Sequence, residues 1–205
     1  RMVPDSDSSD TTVLLDERLL TAPSLALGRC GALMDDMAKC SMASLNESIE
    51  TISGCTPKLA EAIHNNEDKT DHYEDIIGSY LVRLSSRKIS DEDSLRASKY
   101  LRLIGDFERI ADHSVNILES SEERSDKEID FSAEADRELA VLTSAVSEVM
   151  WLAYRAFTEK DMDAASRIDP LEEVVDRLKE EIRTRHIYRM QQGECSIDAG
   201  FILSD

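Results

Sequence analysis

Three pairs of carboxylates, each with its members four residues apart, share the same position beside the apolar face of a predicted helix. The pairs are Glu67–Asp71, Glu108–Asp112 and Glu172–Asp176. At about 100° per residue, the second acid of each pair lies about 40° around the helix from the first. In each helix both acids lie on the border of the apolar face, and this border is called the shoulder of the helix below. Each pair is therefore expected beside a helix–helix contact.

Acidic pairs at this position need compensation. Like charges at this spacing cost a few tenths of a kcal/mol in an isolated helix, and the field beside a core is less screened. One compensating group is a nearby base such as Arg109. Another is a hard cation held by carboxylate oxygens from several helices. Ordinary solvated acids remain the favoured interpretation of any single pair. Three matched pairs favour a divalent or trivalent metal ion, such as iron, zinc, manganese or magnesium.

Other chemistry is less well supported by the sequence. Glu61-x-x-His64 matches half of the Glu-x-x-His set of di-iron helical proteins, but no second copy exists. A solvated histidine is therefore favoured. No nucleophile elbow or Gly-rich phosphate loop occurs. His113 follows Asp112 but is placed about 140° from Glu108, away from the acids. These patterns favour a regulatory or binding module, with a carboxylate–metal enzyme as the lesser alternative.

The composition limits the partners. The formal net charge is −19, from 43 acids and 24 bases, and such a field repels nucleic acid and anionic lipid. Cations and basic protein surfaces are the favoured partners, and no nucleic acid is expected. The four cysteines form no Cys-x-x-Cys pattern, so reduced thiols are expected. No apolar stretch approaches the roughly 20 residues of a membrane span.

Scarce glycine (7) and proline (4) predict long helices. The fourth predicted helix carries Trp151, Tyr154 and Phe157, which we expect in the core. A sixth helix is expected after Ser196, with about two turns before the sequence stops at Asp205. The first five predicted helices cover residues 24–52, 57–85, 90–121, 132–158 and 161–191, the last with Pro170 as a point where it could kink.

An internal repeat underlies these helices. The Glu172-x-x-x-Asp176 motif lies 105 residues after Glu67-x-x-x-Asp71, and similar residues follow both. Helices of about 30 residues are about 45 Å long. We therefore predict an all-α, elongated antiparallel helical bundle of two three-helix repeats with the last helix truncated. The predicted divisions are a linker over 1–22, a first repeat over 23–125 and an incomplete second repeat over 126–205.

The segment YLRLIGDFERIADHSVNILE, residues 100–119, resembles the third-helix motif of PhoU domains. The matching positions are Asp106, Glu108, Arg109, Ile110, Asp112, Asn116, Ile117 and Glu119. The Glu-x-x-x-Asp motifs of the second and fifth predicted helices are similar to the second-helix motif of that family. The resemblance extends over about residues 24–205. It implies two three-helix repeats, multinuclear metal sites on the acidic motifs, and a role in tuning phosphate uptake. Because the sequence ends before a second copy of the third-helix motif, the metal site of the second repeat is in doubt.

The opening LDERLLTAPSLAL resembles the junction between the membrane domain of bacterial sodium/phosphate cotransporters and a cytosolic PhoU-like tail. This second resemblance implies a cytoplasmic regulatory domain of an inner-membrane protein. Its partner would be a membrane transporter domain preceding residue 1, and homo-oligomers are also expected. The alternative is a stand-alone phosphate-signalling adaptor, which differs mainly in what precedes residue 1.

Overall fold

The computed structural model describes residues 15–196, 199–200 and 202, and these are helical or irregular with no strand among them. A 3₁₀ turn, Glu17–Thr21, precedes five long helices. The prediction of an all-α fold is confirmed. The helices are α1 (Pro23–Thr51), α2 (Pro57–Ser85), α3 (Asp91–Asp126), α4 (Ala133–Thr158) and α5 (Met162–Gln191).

Side-chain caps fix where the helices begin. The Ser90 hydroxyl accepts the amide N–H of Asp93 at the start of α3, and Ser132 accepts that of Ala135 before α4. Asp161 accepts the N–H groups of Asp163 and Ala164 before α5. Each cap satisfies a backbone donor that has no partner within the helix. At the other end of α5, Gly193 adopts a φ of 72°, which is typical of a glycine that ends a helix.

A subset of the buried residues in each of the first three helices follows a seven-residue repeat. In α1 this subset alternates in steps of four and three, and in α2 and α3 its members recur every seven residues. This spacing is that of left-handed helix packing, in which each helix presents one continuous seam. The seams are Cys30, Met34, Met37, Ser41, Ser44, Ser48 and Thr51 in α1, Ile63, Thr70, Ile77 and Leu84 in α2, and Ala97, Ile104, Ala111 and Leu118 in α3.

Side-chain contacts give the helix directions. Ser24 Oγ lies 3.2 Å from Asp93 Oδ1, and the Ser41 hydroxyl donates to the Phe107 carbonyl at 3.0 Å, so α1 and α3 run parallel. A Cβ on Gly78 would lie 3.4 Å from Ile104, and one on Gly105 would lie 3.9 Å from Glu74. α2 therefore runs antiparallel to α3, as the short loop between them requires.

The chain divides into two compact units that do not follow the sequence order. The first comprises the chain up to Ser41 together with Asn65–Asp112, and the second comprises Met42–His64 together with the chain from His113 onward. In the second unit α4 and α5 are antiparallel, since Glu148 pairs with Arg167 at 2.9 Å and Glu138 with Arg189 at 2.8 Å. The predicted division into repeats over 23–125 and 126–205 stays a prediction.

Some sequence expectations need revision or fall outside the described residues. Trp151 was expected in the core, but it is 51% exposed and stacks on Tyr154 with ring centroids 5.8 Å apart. Most of the predicted linker over 1–22 lies outside the described residues; its described end contains the 3₁₀ turn, where Leu20 is buried. Ser196 accepts the N–H of Ala199, as expected of a sixth-helix cap, while most of the following residues lie outside the described part.

The buried seam of α1 gives a stability prediction. Ser44 is fully buried and its hydroxyl has no hydrogen-bond partner in the described part of the chain. Ser44→Ala should therefore raise the free energy of unfolding by about 1 kcal/mol. Ser41→Ala is the matched control: it removes the hydrogen bond to Phe107 and should cost about 1 kcal/mol. Urea unfolding measures both, and equal losses in the two variants would contradict the assignment.

Candidate metal centre

The first carboxylate pair is positioned by the buried seam of α2. Thr70 is fully buried in that seam, and its hydroxyl is held by the Asn66 carbonyl at 2.8 Å. Glu67 lies one turn before Thr70 and is half-buried, while Asp71 follows it directly and is exposed. The two acids therefore flank a small buried residue, on the same shoulder of the helix.

The second pair has the same relation to the seam of α3. Ala111 is fully buried, the half-buried Glu108 lies one turn before it, and the exposed Asp112 follows it. A small residue at this seam position leaves room for a neighbouring helix to approach closely. Since α2 and α3 are antiparallel, the two shoulders face one another within the first compact unit.

The two helices bring three of the predicted acids together. Glu67, Asp71 and Asp112 each offer one carboxylate oxygen, and these oxygens all lie within 4.8 Å of one another. Oxygens on opposite sides of one ion would be about 4.2 Å apart for Mg²⁺ and about 4.8 Å apart for Ca²⁺. The spacing therefore fits a single hard cation with little rearrangement.

Glu108 joins this group through Asp112. The pKa of Glu108 is raised to about 7, first by burial and then by the charge of Asp112, a hydrogen bond to it, and the charges of Glu74 and Asp71. Burial also raises the pKa of Asp71, with the charge of Asp112 as the next cause. Burial, together with the repulsion between the carboxylates of α2 and α3, thus allows Glu108 to hold a proton near neutral pH.

Within the described part of the chain, Asp71, Glu108 and Asp112 form no ion pair with a base, and Arg109 is exposed without such a pair. Of the two compensating groups considered from the sequence, local arginine is therefore absent in the described part. An all-oxygen group of acids suits magnesium, manganese, calcium or iron better than a soft metal.

Glu74 also belongs to this group, although it was not among the residues predicted for the site. Glu74 is half-buried on α2, and its carboxylate lies near Gly105 of α3 and acts on Glu108. It stands seven residues after Glu67 and three after Asp71, so helical spacing alone places it on the same shoulder. The signal was present in the sequence.

The third predicted pair is placed differently. Glu172 and Asp176 are both exposed on α5, and Asp176 Oδ1 lies 3.5 Å from Lys179 Nζ. The described residues bring no third acid to this pair within metal-binding distance. Metal binding at Glu172 and Asp176 therefore stays a prediction without geometric support in the described chain.

The remaining sequence candidates join no metal-binding group in the described residues. Glu61 and His64 are both exposed, as expected of a solvated histidine. All four cysteines are free thiols, as predicted. None of the described helices is both long and apolar enough to cross a bilayer.

Comparison with known proteins bears on the same residues. The family model described as the PhoU domain matches residues 34–121. The chain is also 28% identical over 160 residues to a Thermotoga maritima protein named phosphate-specific transport system accessory protein PhoU homolog 1. The aligned part is 78% of this chain and 68% of that relative. No solved structure gave a significant match. The match to the PhoU domain model thus covers residues 34–121, and the facing carboxylates of α2 and α3 all lie inside the matched range.

Proposed function

We propose that this chain is a regulatory accessory protein of phosphate transport, and that a metal ion held between α2 and α3 is part of its working form. The observation that carries the proposal is the coincidence of two features. The match to the PhoU domain model covers residues 34–121, and the three acids whose oxygens lie within 4.8 Å of one another fall inside that range. The chain is regulatory rather than enzymatic, in keeping with its similarity to an accessory protein.

Two forms of this function were expected from the sequence, and the relative favours one of them. Its name describes an accessory protein of a phosphate-specific transport system, which fits an adaptor that acts on a transporter. The other form, a cytoplasmic tail joined to a sodium/phosphate cotransporter before residue 1, rests only on the short resemblance of LDERLLTAPSLAL. The sequence of the full-length gene product decides between them. In either form the domain works on the cytoplasmic side of the inner membrane.

The metal ion would supply positive charge where the protein has little. With a net charge of −19, the protein repels free phosphate. A cation on Glu67, Asp71 and Asp112, with Glu108 and Glu74 beside them, would relieve the repulsion that raises the pKa of Glu108. An ion with an open coordination position also gives phosphate a way to bind this acidic surface. The side chains themselves bind and orient the ion, and no catalytic step is assigned to them.

Phosphate uptake tests the proposal. Deleting the gene from the cells that carry it should raise the rate of radiolabelled phosphate uptake under phosphate excess, because the transporter loses its restraint. The parent gene should restore the low rate, while the variant Glu108→Gln with Asp112→Asn should fail to do so. The matched control changes the same residue types in the exposed pair of α5, Glu172→Gln with Asp176→Asn, and should restore it.

Two outcomes of that experiment count against the account. Unchanged uptake after deletion would remove the assignment to phosphate transport. Full restoration by the α2–α3 site variant, at normal protein levels, would show that the metal centre is not needed for regulation.

A further inference from the structure

The end of α5 holds two buried polar side chains with unused hydrogen-bonding atoms. His186 is 4% exposed and Arg189 is 7% exposed. His186 Nε2 and Arg189 Nε have no hydrogen-bond partner in the described part of the chain. Leaving such atoms unpaired in the protein interior costs free energy. The carboxylates of the candidate metal centre are not part of this cluster. This cluster lies wholly within the second compact unit.

A cysteine lies against the histidine. Cys195, which is half-buried in the loop after α5, has its Sγ 3.6 Å from His186 Nδ1. On the other side of the ring a Cβ on Gly200 would lie 2.6 Å from His186 Nε2. The imidazole is thus held between the Gly200 backbone and the thiol, and the thiol is its hydrogen-bonding contact.

We propose that Cys195 is a site of covalent thiol modification, with His186 as the proton acceptor and a hydroperoxide as the class of oxidant. The thiol proton passes to His186 Nδ1, and the thiolate attacks the terminal oxygen of the hydroperoxide. The S–O bond forms as the O–O bond breaks, so sulfur is oxidised by two electrons to a sulfenic acid. The leaving alkoxide or hydroxide takes the proton from His186 and departs as alcohol or water.

Several charged groups lie around the thiol and the imidazole. On α5, His186 contacts the thiol, and the charge of Arg189 interacts with it. On α4, Glu138 pairs with both Arg185 and Arg189. The charge of Glu134 also acts on Arg189. Burial, with Arg189 as the next cause, lowers the pKa of His186, which favours the neutral imidazole, whose Nδ1 can accept a hydrogen bond from the thiol. The guanidinium of Arg189 is bound on one side to Glu138.

The other three cysteines lack these features. Burial raises the pKa of Cys30 to about 12 and also raises the pKa of Cys40 and of Cys55. In the described chain no histidine lies within hydrogen-bonding distance of any of them. Cys55 is half-buried like Cys195, which makes it an internal control of similar access. Selectivity for Cys195 among the four thiols is therefore the expected signature.

The test is the alkylation rate of each cysteine in the folded chain, read by mass spectrometry with iodoacetamide. For each thiol the rate at about pH 7 is divided by the rate at about pH 9.5, which separates ionisation from access. This ratio should be at least about tenfold larger for Cys195 than for Cys55. His186→Asn keeps a polar group near the Nδ1 position but cannot accept the proton, and it should lower the Cys195 ratio to that of Cys55.

Matched controls keep the result decisive. His64→Asn changes an exposed histidine and should leave the Cys195 ratio unchanged. Hydrogen peroxide followed by a sulfenic-acid trap should label Cys195 in the parent and nothing in Cys195→Ser. If His186→Asn loosens the local structure, both rates rise together and the ratio still reports ionisation. Equal ratios for Cys195 and Cys55 in the parent, or an unchanged Cys195 ratio in His186→Asn, would overturn the proposal.

Discussion

A divalent metal ion at about one hundred times its dissociation constant should raise the melting temperature of the parent protein by roughly 5–10 °C. The rise follows because the folded state presents Glu67, Asp71 and Asp112 together, whereas the unfolded chain binds the ion weakly. Thermal melts in chelator, and then with magnesium, manganese, zinc or iron(II) added in turn, measure the effect. Glu108→Gln with Asp112→Asn should abolish most of the rise.

The same double variant has a second expected property. In chelator it should be as stable as the parent or more so, because it removes like-charge repulsion between α2 and α3. Glu172→Gln with Asp176→Asn serves as the control, since this exposed pair has no third acid beside it in the described chain. Equal metal-dependent shifts in the parent and the Glu108/Asp112 variant would place any bound metal elsewhere.

In metal-free buffer, stability should fall as pH rises through about 7, because Glu108 then loses its proton in the folded state. Its pKa is raised from 4.5 to about 7, so between these values the folded state holds a proton that the unfolded chain has released. The contribution of Glu108 to the free energy of unfolding is fully present below about pH 4.5 and is lost above about pH 7. Since one pKa unit corresponds to about 1.4 kcal/mol, the change across this window is at most about 3 kcal/mol.

Comparison with a single variant isolates that contribution from other titrating groups. Urea unfolding of the parent and of Glu108→Gln should show a stability difference that changes across this pH window, with the variant gaining on the parent as pH rises. Glu172→Gln removes a similar charge from an exposed position and should show no such trend. A difference between the parent and Glu108→Gln that is constant from about pH 4.5 to about pH 8 would contradict the raised pKa.

Local chemistry made the helices predictable. Ser90, Ser132 and Asp161 cap α3, α4 and α5 at the positions expected, and Pro57 begins α2. These signals act within one turn of the chain, so they need no knowledge of the tertiary fold. The end of α3 was less predictable: the helix continues to Asp126 rather than ending near residue 121, because the polar stretch there has no breaker.

Tertiary placement was only partly accessible from the sequence. Helical spacing put Glu67, Asp71, Glu108 and Asp112 on the shoulders of the core, and the structure groups the shoulders of α2 and α3. The same spacing described Glu172 and Asp176 equally well, yet a metal site also needs an acid from another helix. Periodicity within one helix cannot supply that information.

Two other features show the same limit. Trp151 is apolar, but which face of α4 is covered depends on its neighbours, and half of this side chain remains exposed. His186 and Cys195 are nine residues apart across the end of a helix and form no recognisable motif. Only the path of the chain after α5 brings them together, so their pairing could be found from the structure alone.

The most direct measurement of the central claim is an anomalous-scattering map from crystals of the protein grown with manganese. The account predicts a peak between α2 and α3, with oxygens of Glu67, Asp71 and Asp112 at about 2.2 Å and Glu108 beside them. Crystals of the variant Glu108→Gln with Asp112→Asn should lack that peak. A manganese peak only at other carboxylates, or an equally strong α2–α3 peak in the variant, would contradict the assignment of this group as the metal centre.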